Sequence, residues 1–180
     1  MAQLSDDDFR QHFSRAKRAF HLELKDSYHV DSEAEPFRKW RAGEHDDHAW
    51  RRPWQALVRE HTSAGCLIQR VRVVTVPHTL YTRWLLDIAG DNVKAGEDIR
   101  YLPRHLTTDV DLPEEDCWLF DDEHLVLTMF PGDGRVGVFV ATDNSHLLRR
   151  YLAARDRVWE RAMPHAEYIH SPHMNAEPIT

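Results

Sequence analysis

The chain has 180 residues, a hydrophobic content of 42% with six tryptophans, and a formal net charge of −7. This length and hydrophobic content predict one folded domain with a substantial core, and the negative charge disfavours direct nucleic-acid binding, which needs a basic surface. No run approaches the roughly 20 apolar residues of a membrane span, and the N-terminal sequence MAQLSDDDF lacks a secretory signal. We therefore expect a cytoplasmic protein that does not bind membranes.

The N-terminal third is predicted to be mainly helical. Ser5 can cap a first helix that extends to about Arg18, and alternating apolar and polar residues then predict a half-buried strand at 20–24. Two further helices are expected at 32–40 and at 53–62, because apolar residues recur there at helical spacing and a glycine follows each segment.

The stretch 69–104 is predicted to form a β-α-β unit. A run of valines indicates a strand that closes at Pro77, and from Thr79 the apolar residues take a helical period that Gly90 would end. A second strand, parallel to the first, would follow at 99–103. Polar and charged residues on the other face of the first strand predict partial exposure, and these residues are Gln69, Arg70 and Arg72.

The C-terminal half is predicted to contain an antiparallel meander and then a long helix. Three short apolar runs lie between residues 117 and 142, and the two separators, DD and PGDG, are typical of hairpin turns. Asp143 or Asn144 can cap the helix, which Pro164 would end. The segment 170–180 has the composition of a disordered tail.

Motifs for metal and phosphate binding are weak in this sequence. His45 and His48 stand three residues apart with two carboxylates between them, but a solvated loop is the favoured interpretation, and the histidines near the C-terminus fall in the expected tail. Whether either group binds a metal stays open. The glycines of PGDGRVG match G-x-G-x-x-G, yet the segment leads into a strand, so a hairpin explains them. We expect no metal and no cofactor.

Acidic residues stand beside the predicted strands of the C-terminal half. The ends of strands border the ligand-binding crevice of many α/β sheets, arginines could pair with the carboxylates, and aromatic side chains could line an apolar pocket. A surface ion-pair network is the structural alternative. The candidate ligand-binding residues are Tyr81, Glu97, Asp98, Arg100, Tyr101, Arg104, Asp116, Trp118 and Asp121.

Five segments occur along the chain in the order LELKDSY, RVRVV, GEDIR, DCWLFD and RDRVWERA. In this order they resemble an actinobacterial family known as domain of unknown function 6879, and the resemblance covers roughly Phe9 to Tyr168. Membership would imply genes placed beside helix-turn-helix regulators, and it implies no established activity.

A more distant likeness is to non-catalytic sensor domains related to phospholipase D, in which a β-α-β unit and a strand-turn-strand precede a helix with an aromatic-x-x-Ala ending. The segment WERA fits that ending. The catalytic pattern of that superfamily is H-x-K-x-x-x-x-D. When its aspartate is placed on Asp121, Glu114 and Asp116 occupy the positions of the histidine and lysine. The resemblance therefore implies a phospholipase D-like half without hydrolase activity, and fold alone does not confer function.

The sequence thus predicts an α+β fold: a mixed β-sheet of about five to seven strands with a β-α-β core, N-terminal helices and a long C-terminal helix. One domain would span 1–169, with an N-terminal helical part at about 1–64 and a disordered tail at 170–180.

Our leading functional hypothesis is a non-enzymatic regulatory or sensor module that binds a small ligand or a helix-turn-helix regulator. The alternative is a small-molecule enzyme with a carboxylate-based site in an aromatic-lined cleft. The enzyme hypothesis requires the carboxylates of four residues to converge with raised pKa values, namely Glu97, Asp98, Asp116 and Asp121.

Overall fold

The structure is a computed structural model that describes residues 1–28, 30–130 and 137–175. Within these ranges the strands are β1 (Ala2–Gln3), β2 (Arg18–Glu23), β3 (Leu67–Val74), β4 (Asp98–Pro103), β5 (Asp116–Phe120), β6 (His124–Met129), β7 (Val138–Thr142) and β8 (Met163–Pro164). The helices are α1 (Asp6–Arg15), α2 (Asp31–Ala42), α3 (Arg52–Ser63), α4 (Leu80–Ala95), α5 (Ser145–Arg161) and α6 (His165–Tyr168).

All eight strands join one mixed sheet in the order β1-β7-β6-β5-β2-β3-β4-β8. The central strands β2, β3 and β4 are parallel, and β5, β6 and β7 form an antiparallel meander beside β2. This arrangement confirms the predicted α+β fold with a mixed sheet and a β-α-β core. The sheet has more strands than expected because β1 and β8 are two-residue edge strands, which are too short to show an alternating pattern.

One face of the sheet is apolar and packs against α5. Phe20, Leu22 and Val71 lie on this face and contact Tyr151 and Val158 of the helix within one buried cluster. The side chain of Asn144 begins α5 by accepting hydrogen bonds from two main-chain N–H groups, each at 3.0 Å. The prediction of a long C-terminal helix is therefore confirmed. We call this side the α5 face.

The opposite face carries α1, α3, α4 and α6, and we call it the helix face. Phe9 and Phe13 of α1 pack with Trp118 of β5, and α2 lies farther out, where its Phe37 packs on Trp84 of α4. Side chains alternate between the two faces of a strand, so every second residue of β2, β3 and β5 points beneath these helices.

The predicted end of α4 at Gly90 was wrong. The helix continues to Ala95 and ends at Gly96, whose φ of +112° is accessible to glycine and strained for other residues. A glycine inside a helix costs only about 1 kcal/mol. The burial of Leu86 and Ala89 before Gly90, and of Ala95 after it, offsets that cost.

The predicted partial exposure was wrong for β2 and for Arg70, whereas Leu67 of β3 is 62% exposed and Gln69 and Arg72 are half-buried. Five of the six residues of β2 are buried, and Arg70 is only 7% exposed. The period-2 pattern placed Arg70 and Arg72 correctly on one face, which helices cover, but Gln69, predicted for the same face, lies on the α5 face with Val71. The charged side chains of the helix face are therefore paired with one another, as burial requires.

Two boundaries differ from expectation. The first helix ends at Arg15 rather than Arg18, because Arg18 already begins β2. Residues 170–175, expected in a disordered tail, include a 3-10 turn at Pro172–Asn175, and Met174 packs beside Tyr168. The expected hairpin at PGDG and residues 176–180 lie outside the described residues.

The corrected end of α4 is tested by two glycine substitutions. Gly90→Ala should raise the free energy of unfolding by about 0.5–1 kcal/mol, because the added methyl meets only His165 Nε2 at 3.9 Å and the unfolded chain loses freedom. Gly96→Ala should lower it by about 1–3 kcal/mol, because its φ is strained for alanine and its Cβ would stand 2.7 Å from Thr62 Oγ1. Urea denaturation measures both, and a destabilising Gly90→Ala would contradict the continuous helix.

Candidate functional site

A cavity of about 440 Å³ lies on the helix face between the sheet and helices α1 to α4. This volume is within the range of about 300–1,000 Å³ that is typical of small-molecule sites. The exposed residues of its lining are Asp6, Arg10 and Ser32, so the cavity opens between the first turns of α1 and α2. Its aromatic walls are formed by Phe9, Tyr28, Trp50, Trp54, Tyr81, Trp118, Phe130 and Phe139.

The floor of the cavity is polar because strand register brings polar residues together there. His21 pairs with Arg70 and Glu23 pairs with Arg72 across β2 and β3. On the other side of β2, His21 pairs with Trp118, and the two rings stack at 4.1 Å. Residues paired directly across neighbouring strands point to the same side of the sheet, so these side chains all lie on the helix face.

Arg70 is the centre of a buried ion cluster. Its Nη1 donates a hydrogen bond to Glu23 Oε1 at 2.5 Å, and its Nε donates to Glu97 Oε1 at 2.6 Å. Arg72 Nε lies 2.5 Å from the other oxygen of Glu23. Burial would raise the pKa of Glu23, but Arg70 and Arg72 outweigh it and lower that pKa to about 2. Glu23 therefore stays ionised at neutral pH.

The second oxygen of Glu97 extends the cluster into the helices. It accepts hydrogen bonds from Trp54 Nε1 of α3 at 3.2 Å and from Asn92 Nδ2 of α4 at 3.0 Å. Asn92 Oδ1 in turn accepts from Arg51 Nη2 at 2.8 Å. The side chain of Glu97 is completely buried, so every one of these contacts is desolvated and holds the helices over the sheet.

Five buried polar atoms of residues that line the cavity form no hydrogen bond among the described residues. Two of them, Glu23 Oε2 and Arg72 Nε, form an ion pair with each other at 2.5 Å, which leaves Arg72 Nη1, His21 Nδ1 and Thr128 Oγ1. His21 Nδ1 lies 3.5 Å from Glu23 without a hydrogen bond, and burial lowers the pKa of this imidazole well below 6.5, so the ring is neutral. Buried polar groups are normally satisfied. The three atoms belong to residues that line one cavity, so the polar floor of this cavity is incompletely bonded within the described chain.

Two tyrosine–carboxyl pairs stand at the cavity wall. Tyr28 donates its hydroxyl to Asp116 Oδ2 at 2.5 Å, and the N–H of Leu24 donates to Asp116 Oδ1 at 2.8 Å. Tyr81 donates to Glu33. Burial raises the pKa of Asp116 to about 6, and burial also raises the pKa of Glu33. These carboxyl groups accept protons more readily than exposed ones.

Of the nine residues proposed from sequence, the cavity lining includes Tyr81, Asp116 and Trp118. Glu97 lies in the ion cluster, where it holds Arg70. Tyr101 is also on the helix face, but its ring is buried against Tyr168 at 4.9 Å, away from the cavity lining.

The other four predicted residues lie elsewhere. Asp98 and Arg100 pair on the α5 face at 3.1 Å, where Arg100 covers the ring of Trp159. Arg104 donates to the main-chain oxygens of Leu24 and Val73. Asp121 accepts from two main-chain N–H groups, of residues 17 and 18, in the turn between β5 and β6. The four carboxylates named in the enzyme hypothesis therefore do not converge.

The sequence interpretation missed the residues that form the cavity floor. His21, Glu23, Arg70 and Arg72 occupy alternate positions in two strands that turned out to be adjacent. The available signal was the presence of charged residues at alternate positions, acidic in one strand and basic in the other. This pattern is compatible with ion pairs between the two strands as well as with an exposed face. Thr128 gave no signal, because a single threonine in an apolar strand is ordinary.

Comparison with known proteins identifies the family. A profile described as a domain of unknown function, DUF6879, matches residues 7–170. The chain belongs to this family. The match runs from the second residue of α1 to beyond α6, so it includes the ion cluster and nearly all of the cavity lining. No curated protein matches the sequence.

Two further searches concern only the described residues. Within 1–28, 30–130 and 137–175, no helix combines the length and apolar character needed to cross a bilayer. In the same ranges, no three side chains of histidine, cysteine, aspartate or glutamate are placed to hold one metal ion.

The unsatisfied hydroxyl on the floor predicts a stabilising substitution. Thr128→Val should raise the free energy of unfolding of the ligand-free protein by about 1 kcal/mol, because it removes a buried polar atom without a partner. Thr107→Val is the matched control: Thr107 is also buried, but its hydroxyl donates to Arg104 O at 2.8 Å, so that variant should lose about 1 kcal/mol. Equal losses in urea denaturation would show that Thr128 is bonded.

The Asp116 carboxyl predicts a pH dependence of stability. Its folded pKa of about 6 exceeds the ordinary value of 3.8, so the folded protein binds the proton more tightly, and this contribution is lost as pH rises through 6. Asp116→Asn should therefore gain about 3 kcal/mol relative to wild type between pH 4 and pH 7. Unfolding curves of both proteins across this range isolate Asp116, because all other groups are shared. A constant difference would contradict the shift.

Proposed function

We propose that this domain is a non-enzymatic regulatory or sensor module that binds a small molecule in the cavity on the helix face. The observation that supports the proposal most strongly is Arg72, which lines the aromatic-walled cavity and whose buried Nη1 has no hydrogen-bond partner in the described chain.

The energetics of the floor favour a binding role over a purely structural one. An unsatisfied buried donor costs about 1–3 kcal/mol, and more when it is charged. Apolar residues of similar volume would often be as stable as a buried ion cluster, or more stable. Three such atoms in the residues that line one cavity destabilise the ligand-free protein. A ligand that bonds to these residues would remove this destabilisation.

A sensor role is supported by the position of α2. This helix contacts α4 through Phe37 and Trp84, and it lies outside the layer that packs on the sheet. Ser32 and Glu33 of its first turn line the cavity. A ligand in the cavity would therefore add contacts to α2, and a partner that binds this helix would distinguish the ligand-bound state.

We propose a helix-turn-helix regulator as that partner and the cytoplasm as the location. The partner follows from the resemblance of the five sequence segments to an actinobacterial family whose genes adjoin such regulators, and the location is where such a regulator would meet it. The likeness to non-catalytic phospholipase D-like sensor domains supports the same role. Co-purification of the chain with the product of an adjacent helix-turn-helix gene would test the partner.

An enzyme of small-molecule metabolism is the second candidate. It is favoured by Asp116, a carboxyl of raised pKa that is bonded to Tyr28 in an aromatic cavity, as acid–base groups often are. Because the other predicted carboxylates lie elsewhere, this candidate depends on Asp116.

A metabolite screen by thermal shift tests the proposed function. At least one compound should raise the melting temperature of the wild type and of Arg100→Gln, whose side chain lies on the α5 face, but not that of Arg72→Gln. Mass spectrometry after incubation separates the two candidates: an unchanged ligand supports the sensor, and conversion that Asp116→Asn abolishes supports the enzyme. Hits that bind Arg72→Gln equally well would contradict a binding site in which Arg72 takes part.

A further inference from the structure

We infer that the ligand of this cavity is a planar, mainly apolar molecule with one carboxylate, and that the carboxylate binds the Arg72 guanidinium. This inference rests on the proposed function and names the chemical class of the ligand. It follows from the hydrogen-bond groups of the floor, from the sharing of carboxylates in the ion cluster, and from the shape and chemistry of the walls.

The unsatisfied groups of the floor need acceptors. A guanidinium has donors only, so Arg72 Nη1 can be completed only by an acceptor atom. The hydroxyl of Thr128 and the neutral ring of His21 can each donate as well. Glu23 Oε2 has no hydrogen bond of good geometry, but it lies 2.5 Å from Arg72 Nε and is occupied by that ion pair. A ligand with oxygen atoms can accept hydrogen bonds from these floor groups. A protonated amine cannot, because it has only donors.

The charge on Arg72 is only partly compensated. Its one ionic partner among the described residues is Glu23, which also binds Arg70. Glu97 does not compensate Arg72. Its two oxygens accept hydrogen bonds from Arg70, Trp54 and Asn92 instead. Asp116 is committed to Tyr28 and to a main-chain N–H. An added carboxylate would give Arg72 an acceptor of its own, and charge-assisted hydrogen bonds of this kind are the stronger ones.

A phosphate or a highly polar ligand fits the site less well. A phosphate dianion needs several donors, whereas the carboxyl groups of Glu23, Glu33 and Asp116 also line this cavity and repel a doubly charged group more strongly than a single carboxylate. The walls carry indole and phenyl rings, including Trp50, Trp54 and Tyr81. Aromatic side chains stack favourably on flat rings, so the body of the ligand is expected to be planar and apolar.

Matched acid and amide pairs test the inference on the full chain. The probes are indole-3-acetate with indole-3-acetamide and 2-naphthoate with 2-naphthamide, measured by isothermal titration calorimetry. At least one acid should bind the wild type about tenfold or more tightly than its amide, which corresponds to about 1.4 kcal/mol. Arg72→Gln should abolish this preference, and Arg100→Gln should keep it.

The possible results separate this inference from the proposed function. Amides that bind as tightly as their acids, or a preference that persists in Arg72→Gln, would overturn the carboxylate assignment and leave a ligand-binding cavity. If no probe binds, the assignment of this ligand class is wrong, and the metabolite screen still decides whether the cavity binds ligands of another class.

A crystal structure with 2-naphthoate gives a second test that needs no variant. A carboxylate oxygen is expected within about 3.2 Å of a guanidinium nitrogen of Arg72, the reach of a hydrogen bond. A naphthoate with its carboxylate turned toward the opening at Ser32 would overturn the inference, even if calorimetry shows binding.

Discussion

The structure depends on one buried arginine that must be paired on two sides. Arg70 of β3 is held between Glu23 of β2 and Glu97 at the end of the α4–β4 connection, and all three side chains are almost completely removed from water. A buried charge without a partner costs several kcal/mol. The register of β2 on β3, and the position of Glu97 after Gly96, are therefore fixed together. Through Trp54 and Asn92 the same cluster also fixes α3 and α4.

This constraint explains why the two faces of one sheet differ. The α5 face is closed by apolar packing. Its side chains, such as Leu22 and Val71, have no polar atoms that need a hydrogen-bond partner. The helix face has charges at its centre, so the helices there cannot close onto the strands as α5 does, and a cavity remains above Arg72. Replacing such clusters by apolar residues is often neutral or stabilising. The proposed ligand gives a reason for the buried ion cluster, because the charges of the cluster would form its binding site.

Periodicity in the sequence predicted most of the fold but only part of the site. Valine runs and helical spacing gave the β-α-β unit, the meander and α5, because those patterns report local geometry. Gly90 misled the prediction of a helix end, since a glycine's effect depends on the packing around it. Arg70 and Arg72 were assigned to an exposed face, because alternation tells which residues share a face and not what covers it. Glu97 was predicted to bind a ligand. Its actual partners, Trp54 and Asn92, belong to two helices, so they could be identified only from the assembled structure.

A double-mutant cycle between Arg70 and Glu97 tests the central claim most directly. Arg70→Met and Glu97→Gln should each lower the free energy of unfolding by about 3–5 kcal/mol, because each leaves a buried group without its partner. The double variant should lose at least about 2 kcal/mol less than the sum of the single losses, as expected for groups in contact. Urea denaturation of the four proteins gives this coupling energy. Losses that add to within about 0.5 kcal/mol would contradict the account, because they would show that the two side chains act independently.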